Sequence, residues 1–509
     1  MTTEHSSPLH TTGRIAILGL GETGLSAAQW CLDQGAALRL LDTRAHIDIL
    51  GQLQGDTDQV EQLLGEQALC FEALHGVSAV VISPGLSPID PAIAQFLAWA
   101  RDLQIEVISE IELFARALQQ LRSQGYTPHV LAVTGTNGKT TVVSLLAHVL
   151  RAAGLHVCIA GNISPAALTA LRQQIQTDNL PQVWILELSS FQLETTYSLH
   201  CDAGAVLNLT DDHLDWHGSS QAYAQAKAKL FALSKVQVFN RDDEQVVAML
   251  PDVNAACTRG FSAHAPSYVG DLGLGLEGGM EWLLAAEATD FSEQESTVRK
   301  RQAGTAEPTI RPLGRVNKLM PVEALQLKGR HNALNALAVL ALARVLGLRW
   351  SDVLHALRTY QGEPHRLELV RLLQGVSYFD DSKGTNVGAT VAALNGLDQP
   401  LILIAGGLGK GQNFAPLAAA VQGKVKAVFL IGQDAPLIEA ALADTGIPIV
   451  HQASLEQAVR SAADIAQAGD AVILSPACAS MDMFRNYQHR GQVFVEALTE
   501  LALDQGEAA

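Results

Sequence analysis

Short apolar runs rich in Val, Ile and Leu alternate along this chain with longer Ala/Leu-rich stretches in which apolar positions recur every three or four residues. The short runs suit strands buried on both faces of a parallel sheet, and the longer stretches suit the helices that cross between them. The clearest strand runs are 14–18, 79–83, 130–134, 183–188, 203–208, 401–405, 427–431 and 471–475. Alternating strands and helices predict α/β domains. The pattern breaks at the polar stretch 122–128, before a new strand at Val130, and again at 362–364, after a long helical pattern over 332–346. Three units of about 1–125, 126–362 and 363–509 follow. Residues 262–323 depart from the alternation, being Gly-rich and then mixed and charged, and read as an insertion with a hairpin and a mobile loop.

A length of 509 residues suits three such domains, and 48% hydrophobic with 17% charged residues is ordinary globular composition rather than that of a disordered chain. A net charge of −18 opposes binding to nucleic acid or anionic membranes, so an anionic ligand must find local positive sites. Six scattered cysteines, with no C-x-x-C pair, argue against a zinc site or a disulfide framework. The polar start lacks the apolar core of a secretory signal, and no run reaches the ~18 to 20 apolar residues of a membrane span. A cytoplasmic protein without membrane insertion is expected.

The most informative motif follows the run 130–134. Gly135, Thr136, Asn137, Gly138, Lys139, Thr140 and Thr141 lead into a helical pattern, which makes a strand, loop and helix cradle for phosphate. The glycines let backbone N–H groups converge on an anion, Lys139 supplies charge to the terminal phosphates, and the Thr140 hydroxyl suits Mg²⁺. Val133 stands where the usual motif has its first glycine. Glu187 closes a strand and Asp212-His213 follows another; parallel strands end at one edge, so carboxylate and imidazole can complete a metal site there.

Near the start, Gly19, Gly21 and Gly24 form G-x-G-x-x-G after a strand, and Asp42 ends the next strand. This is the Rossmann fingerprint; it suits a dinucleotide such as NAD, and equally a UDP group with Thr23 and Arg44 as added donors. In the last third, His365-Arg366, the run Asp380 to Asn386, the loop Gly406 to Lys410 and the segment Ser475 to Tyr487 gather cations at loop positions suited to carboxylates or phosphates.

Together these residues resemble the Mur ligase family over nearly the full length. The resemblance rests on G-L-G-x-T-G-L-S at 19–26, T-G-T-N-G-K-T-T at 134–141, L-E-L-S-S-F-Q-L at 186–193, H-N-x-x-N at 331–335, D-D-S-K-x-T-N at 380–386 and S-P-A-C-A-S at 475–480. It implies a Rossmann-like N-terminal domain, a central P-loop ATPase-like domain with a mainly parallel sheet, and a Rossmann-like C-terminal domain. D-D-S-K at 380–383, and the absence of a D-N-P-R motif, point to the branch that adds D-glutamate to UDP-N-acetylmuramoyl-L-alanine. The implied reaction consumes ATP through an acyl phosphate, and the implied partners are these small molecules, with the chain acting as a monomer.

Carried over residue by residue, the resemblance places the UDP precursor at Gly21, Glu22, Thr23, Gly24, Asp42, Thr43, Arg44, Ser83, Pro84, Gly85 and Asn162. It places ATP at Gly135 to Thr141, Asn332, Asn335, Arg366 and Asp381, and one or two Mg²⁺ ions at Thr140, Glu187, His213 and Lys227. Lys227 matches the lysine that the family carries as a carbamate (N6-carboxylysine), with Lys229 a competitor; by spacing alone either is a charge on a helix surface. Lys139, His213, Glu187 and Lys227 are the expected catalytic set, and D-glutamate is expected at Lys383, Thr385, Lys410, Ser480 and Tyr487, the family often having Phe at the last position. An NAD-dependent oxidoreductase leaves the central phosphate loop unexplained, and a nucleotide switch has little use for two further ligand-binding domains.

Overall fold

The computed structural model describes residues 13–47, 50–55, 57–210, 212–288, 310–327, 329–397 and 399–506. The chain forms two compact units. Unit 1 comprises Met1–Leu209, Leu214–Val322 and Asn335–Leu357, and unit 2 comprises Thr210–His213, Glu323–Leu334 and Arg358–Ala509.

Unit 1 carries two sheets. In the first, β1 (Arg14–Leu18), β2 (Leu38–Asp42), β3 (Val60–Leu64), β4 (Val77–Ile82) and β5 (Glu106–Ile108) are all parallel in the order β3-β2-β1-β4-β5. The order reverses direction between β1 and β4, where Ile15 lies opposite Ala79, the position at which open α/β sheets commonly take a ligand. The second sheet holds β6 (His129–Thr134), β7 (Val157–Gly161), β8 (Val183–Glu187), β9 (Cys201–Val206), β10 (Ser234–Asn240), β11 (Thr258–Ser262), β12 (Leu272–Glu277), β13 (Met280–Glu287) and β14 (Arg315–Pro321). Their order is β14-β13-β12-β11-β10-β9-β6-β8-β7, parallel from β12 through β7 and antiparallel at β12–β13 and β13–β14.

The expected hairpin in 262–323 is thus β12 and β13, joined at Gly278 and Gly279, whose positive φ angles turn the chain within two residues. It extends the central sheet instead of standing apart from it. The expected mobile loop falls largely on 289–309, outside the described residues.

Both sheets of unit 1 feed one hydrophobic core. Ile17 and Leu38 of the first sheet and Val130 and Trp184 of the second belong to the same buried cluster, with Phe114 between them meeting Trp184 edge to face at 5.1 Å. Phe114 lies on the helix Glu110–Ser123, started by the Ser109 hydroxyl, which accepts from the Glu112 N–H.

Unit 2 contains β15 (Glu368–Leu373), β16 (Val376–Asp380), β17 (Leu401–Gly406), β18 (Val425–Ile431), β19 (Ile449–His451) and β20 (Ala471–Leu474), ordered β15-β16-β20-β17-β18-β19 with only β15 antiparallel. Two apolar clusters cover its faces. All six cysteines are unpaired. Among the described residues no helix is long and apolar enough to cross a membrane.

Glu110, the first residue of its helix, is a polar exception in the unit 1 core. One carboxylate oxygen accepts from the Leu168 N–H at 2.5 Å, and the carboxylate is almost fully buried. Burial pushes this carboxyl up from 4.5 to about 7. Between those values the native state holds a proton that the unfolded chain has lost, so this residue makes stability fall as pH rises from about 4.5 to about 7. Glu110→Gln removes the titration. It should exceed the parent by about 2 to 3 kcal/mol at pH 8 and match it near pH 4, measured by urea denaturation at both values.

Candidate functional site

The phosphate loop stands where expected, between β6 and the helix Lys139–Ala152. Gly135 has φ +154° and Gly138, at the helix N-cap, has φ +83°. The Gly138 conformation favours glycine, and a Cβ there would lie 2.8 Å from the Asn335 side-chain oxygen and push that side chain aside. Asn208, after β9, holds the loop from below. Its carbonyl accepts from Thr136 N–H (3.0 Å), its side-chain oxygen accepts from Asn137 N–H (2.8 Å), and its side-chain N–H donates to the Asn137 carbonyl (3.1 Å). The Lys139 ammonium donates to the carbonyls of Gly135 (2.8 Å) and Thr136 (2.9 Å), which keeps its charge over the loop.

Behind the loop, the Thr140 hydroxyl donates to Glu187 at 2.8 Å, and the Asn162 side chain donates to the other Glu187 oxygen at 2.9 Å. Thr140 and Glu187 are buried, and the ends of β6 and β7 bring two expected residues, Thr140 and Asn162, to the Glu187 carboxylate at the end of β8. A hydroxyl and a carboxylate are the oxygen ligands a hard cation takes, and this donor set fits Mg²⁺. Lys227 overturns the surface reading from spacing, being only 1% exposed. Its ammonium donates to the Gly135 carbonyl (3.0 Å) and sits 4.5 Å over the Tyr223 ring, while the competitor Lys229 pairs with Glu194. His213 belongs to unit 2, has φ +54°, and lies 3.6 Å from the Asp212 carboxylate.

In the first sheet, Gly24 packs so closely on the Gly19 carbonyl that a Cβ would stand 1.9 Å from its oxygen. Asp42 accepts from Leu20 N–H (2.8 Å) and from the Arg44 guanidinium (2.7 and 2.8 Å). That arginine holds the Asp42 carboxyl down to about 2. Glu22 accepts from the Ser164 hydroxyl at 2.7 Å. Thr23, Ser83 and Pro84 line one cavity of about 40 Å³ with Phe191 and Trp216.

In unit 2, burial pushes the Asp381 carboxyl up to about 7, although the Ser475 hydroxyl donates to it at 2.7 Å and Arg366 lies near. The Arg366 Nε–H is buried with no acceptor among the described residues, an orphan donor that fits an anionic ligand. His365 meets Asp380 at 2.6 Å, and this contact raises the imidazole pKa. With Glu368 these two form the only His, Cys or carboxylate group with metal-ligand spacing among the described residues. The Lys383 ammonium stands 5.2 Å from the Tyr487 ring centroid, a cation–π contact. Ser480 is buried and Lys410 is exposed at φ +53°. Asn332 and Asn335 fall in units 2 and 1 respectively.

Sequence reasoning missed Arg490. It is fully buried and donates to the Ser382 hydroxyl (3.0 Å), the Ser382 carbonyl (2.8 Å) and the Cys478 carbonyl (3.1 Å), fastening the loop of Lys383 to that of Ser480. Burial lowers its pKa to about 10. A signal existed: Arg490 occupies the apolar face marked by Phe494, Ala497, Leu498 and Leu501 in the helix Tyr487–Asp504.

The three sheets coincide with known domain types. Residues 13–109 match the Mur ligase MurD-like N-terminal domain, 133–343 the Mur ligase middle domain, and 365–478 the Mur ligase glutamate ligase domain. The UDP-N-acetylmuramoylalanine–D-glutamate ligase of Bordetella avium is 54% identical over 511 residues, spanning 100% of this chain and 99% of its own. The ligase of the same name from Ralstonia nicotianae is 52% identical over 97% of this chain and 98% of its own. Among solved structures, the UDP-N-acetylmuramate-alanine ligase MurC of Thermotoga maritima aligns with a TM-score of 0.54 at 17% identity, over 96% of this chain and 99% of its own. MurF of Acinetobacter baumannii gives 0.55 at 16%, over 95% and 93%. At such identity these structures show a shared fold.

Gly138→Ala tests the loop geometry. The added methyl group meets Asn335 in a backbone conformation costly to any residue but glycine, so affinity for a non-hydrolysable ATP analogue should fall ~10-fold or more. Calorimetric titration checks this, with circular dichroism confirming the fold.

Proposed function

The chain belongs to the Mur ligase family, and we propose that it joins UDP-N-acetylmuramoyl-L-alanine to D-glutamate, with cleavage of ATP to ADP and phosphate, in peptidoglycan precursor synthesis. The observation that carries this reading is full-length identity above one half to ligases bearing that name. The Thr140, Glu187 and Asn162 cluster behind the phosphate loop supports it with suitable chemistry.

A carboxylate resists attack by an amine, so the alanyl carboxylate first accepts the γ-phosphoryl group of ATP and becomes an acyl phosphate. Gly135 to Thr141 cradle the phosphates and Lys139 offsets charge as the phosphoryl group moves. Thr140 and Glu187, with His213 and a Lys227 carbamate, are the proposed Mg²⁺ ligands; the ion, when bound, neutralises phosphate charge. The carbamate reading has a chemical basis, because reaction of the Lys227 amine with CO₂ yields an anionic oxygen ligand. The D-glutamate amine then attacks the acyl carbon and phosphate leaves the tetrahedral intermediate.

We assign the UDP precursor to the loops after β1, β2 and β4 and to Asn162, and D-glutamate to Lys383, Thr385, Lys410, Ser480 and Tyr487. Asn332, Asn335, Arg366 and Asp381 are proposed as nucleotide contacts. The reading makes the protein a cytoplasmic monomer acting on small molecules.

The chain should release phosphate from ATP in the presence of Mg²⁺, the alanyl precursor and D-glutamate, and not with L-glutamate, L-lysine or D-alanine in its place. Lys139→Ala should remain folded and lose ~100-fold or more of this activity. D-glutamate-dependent release at the parent rate in that variant would defeat the assignment. For Lys227, ¹³C-bicarbonate should produce a carbamate resonance that Lys227→Met abolishes.

A further inference from the structure

Within unit 1 an unbroken row of contacts runs from the turn after β4 to the phosphate loop. The Trp216 indole N–H donates to the Pro84 carbonyl (3.1 Å), and the Ser87 hydroxyl donates to the Trp216 carbonyl (3.0 Å), so both sides of that turn are tied to one residue. The Trp216 ring lies 4.5 Å from the Phe191 ring and 4.5 Å from the His217 ring. His217 is buried, shares a hydrogen bond with the Ser190 hydroxyl (2.9 Å), and lies 5.3 Å from the Tyr223 ring. The Tyr223 and Thr136 hydroxyls are 3.1 Å apart, and the same tyrosine ring carries the Lys227 ammonium.

Closely packed side chains transmit displacement because they have few alternative arrangements. A shift of the turn at Ser83 to Gly85 relative to Trp216 breaks the Pro84 bond, and Trp216 packs against rings that lead to Thr136. Trp216 contacts Pro84, Ser87, Phe191 and His217, and it reaches Thr136 through His217 and Tyr223.

We infer that Trp216 is a positioning residue that couples the precursor turn to the phosphate loop, so that nucleotide tightens precursor binding and the precursor tightens nucleotide binding by the same factor. This rests on the assignment of Ser83 to Gly85 to the UDP precursor. A Trp216 that only anchored its own short helix would affect stability and leave the coupling factor alone.

The test is a titration of the full chain with UDP-N-acetylmuramoyl-L-alanine, with and without the ATP analogue AMP-PCP and Mg²⁺. It is run on the parent, on Trp216→Phe, which keeps a ring and loses the N–H donor, and on Tyr223→Phe, which loses the hydroxyl facing Thr136. The parent should show a coupling factor of ~5 to 20, in the usual range for linked sites. Each variant should reduce it to about 2 or less, and the double variant no further, as members of one row behave non-additively. Affinity for AMP-PCP alone should be unchanged in Trp216→Phe.

Ser87→Ala cuts the second tie at the surface and should lower the factor even if the tryptophan variant folds poorly. A parent factor of 1 with both ligands bound, or a parental factor retained in Trp216→Phe and Ser87→Ala, overturns the inference. A parent chain that fails to bind the precursor overturns the ligase reading itself, and the inference with it.

Discussion

Parallel strand pairing is the constraint on which the site depends. A strand whose neighbour runs the same way must hand the chain to a crossover, so every such strand releases its loop at the same edge of the sheet. The loops of Gly19 to Gly24, Ser83 to Gly85, Gly135 to Thr141, Asn162, Gly406 to Lys410 and Ser475 to Ser480 all leave β-strands in this sense. The edge also selects residue types. Gly19, Gly135 and Gly406 sit at the exits of β1, β6 and β17 with φ of +88°, +154° and +119°, conformations that let the chain turn at once toward a helix.

In each sheet that edge also holds a buried carboxylate. Asp42, Glu187 and Asp380 are each the last residue of a strand, and all are buried. Each is satisfied by a different kind of donor. Asp42 is closed by an arginine and a backbone N–H, and Asp380 by His365 and the Ser382 N–H at 2.8 Å. Glu187 is held by a hydroxyl and an amide, both neutral groups, with no cation bonded to it among the described residues. A buried carboxylate so held is the natural partner for an incoming cation.

Much of this was readable from residue patterns, and the failures have physical causes. Central strands announced themselves because both faces are covered and the runs are apolar throughout: 14–18 coincides with β1, and 130–134 and 183–188 fall within a residue of β6 and β8. Edge strands such as β3, half-buried at every position, and the three-residue β5 and β19 carry no such run and were not anticipated. The phosphate loop was legible because its glycines and lysine serve local geometry. Lys227 was not, because helical spacing cannot tell a polar residue facing solvent from one facing a buried loop. Arg490 and Trp216 escaped for a related reason: their partners lie 108 and 132 residues away, distances over which periodicity carries no information.

The glycine fingerprint near the start shows why geometry must decide between readings that sequence leaves level. A dinucleotide-binding domain uses the carboxylate after its second strand to accept ribose hydroxyls, which requires that carboxylate to be open. Here both Asp42 oxygens already accept hydrogen bonds from Arg44, and the carboxylate is buried beneath it. The group turned outward is the guanidinium, whose side chain is 57% exposed. A cationic fork in place of an open acid suits a ligand rich in carbonyl and phosphate oxygens better than it suits ribose hydroxyls.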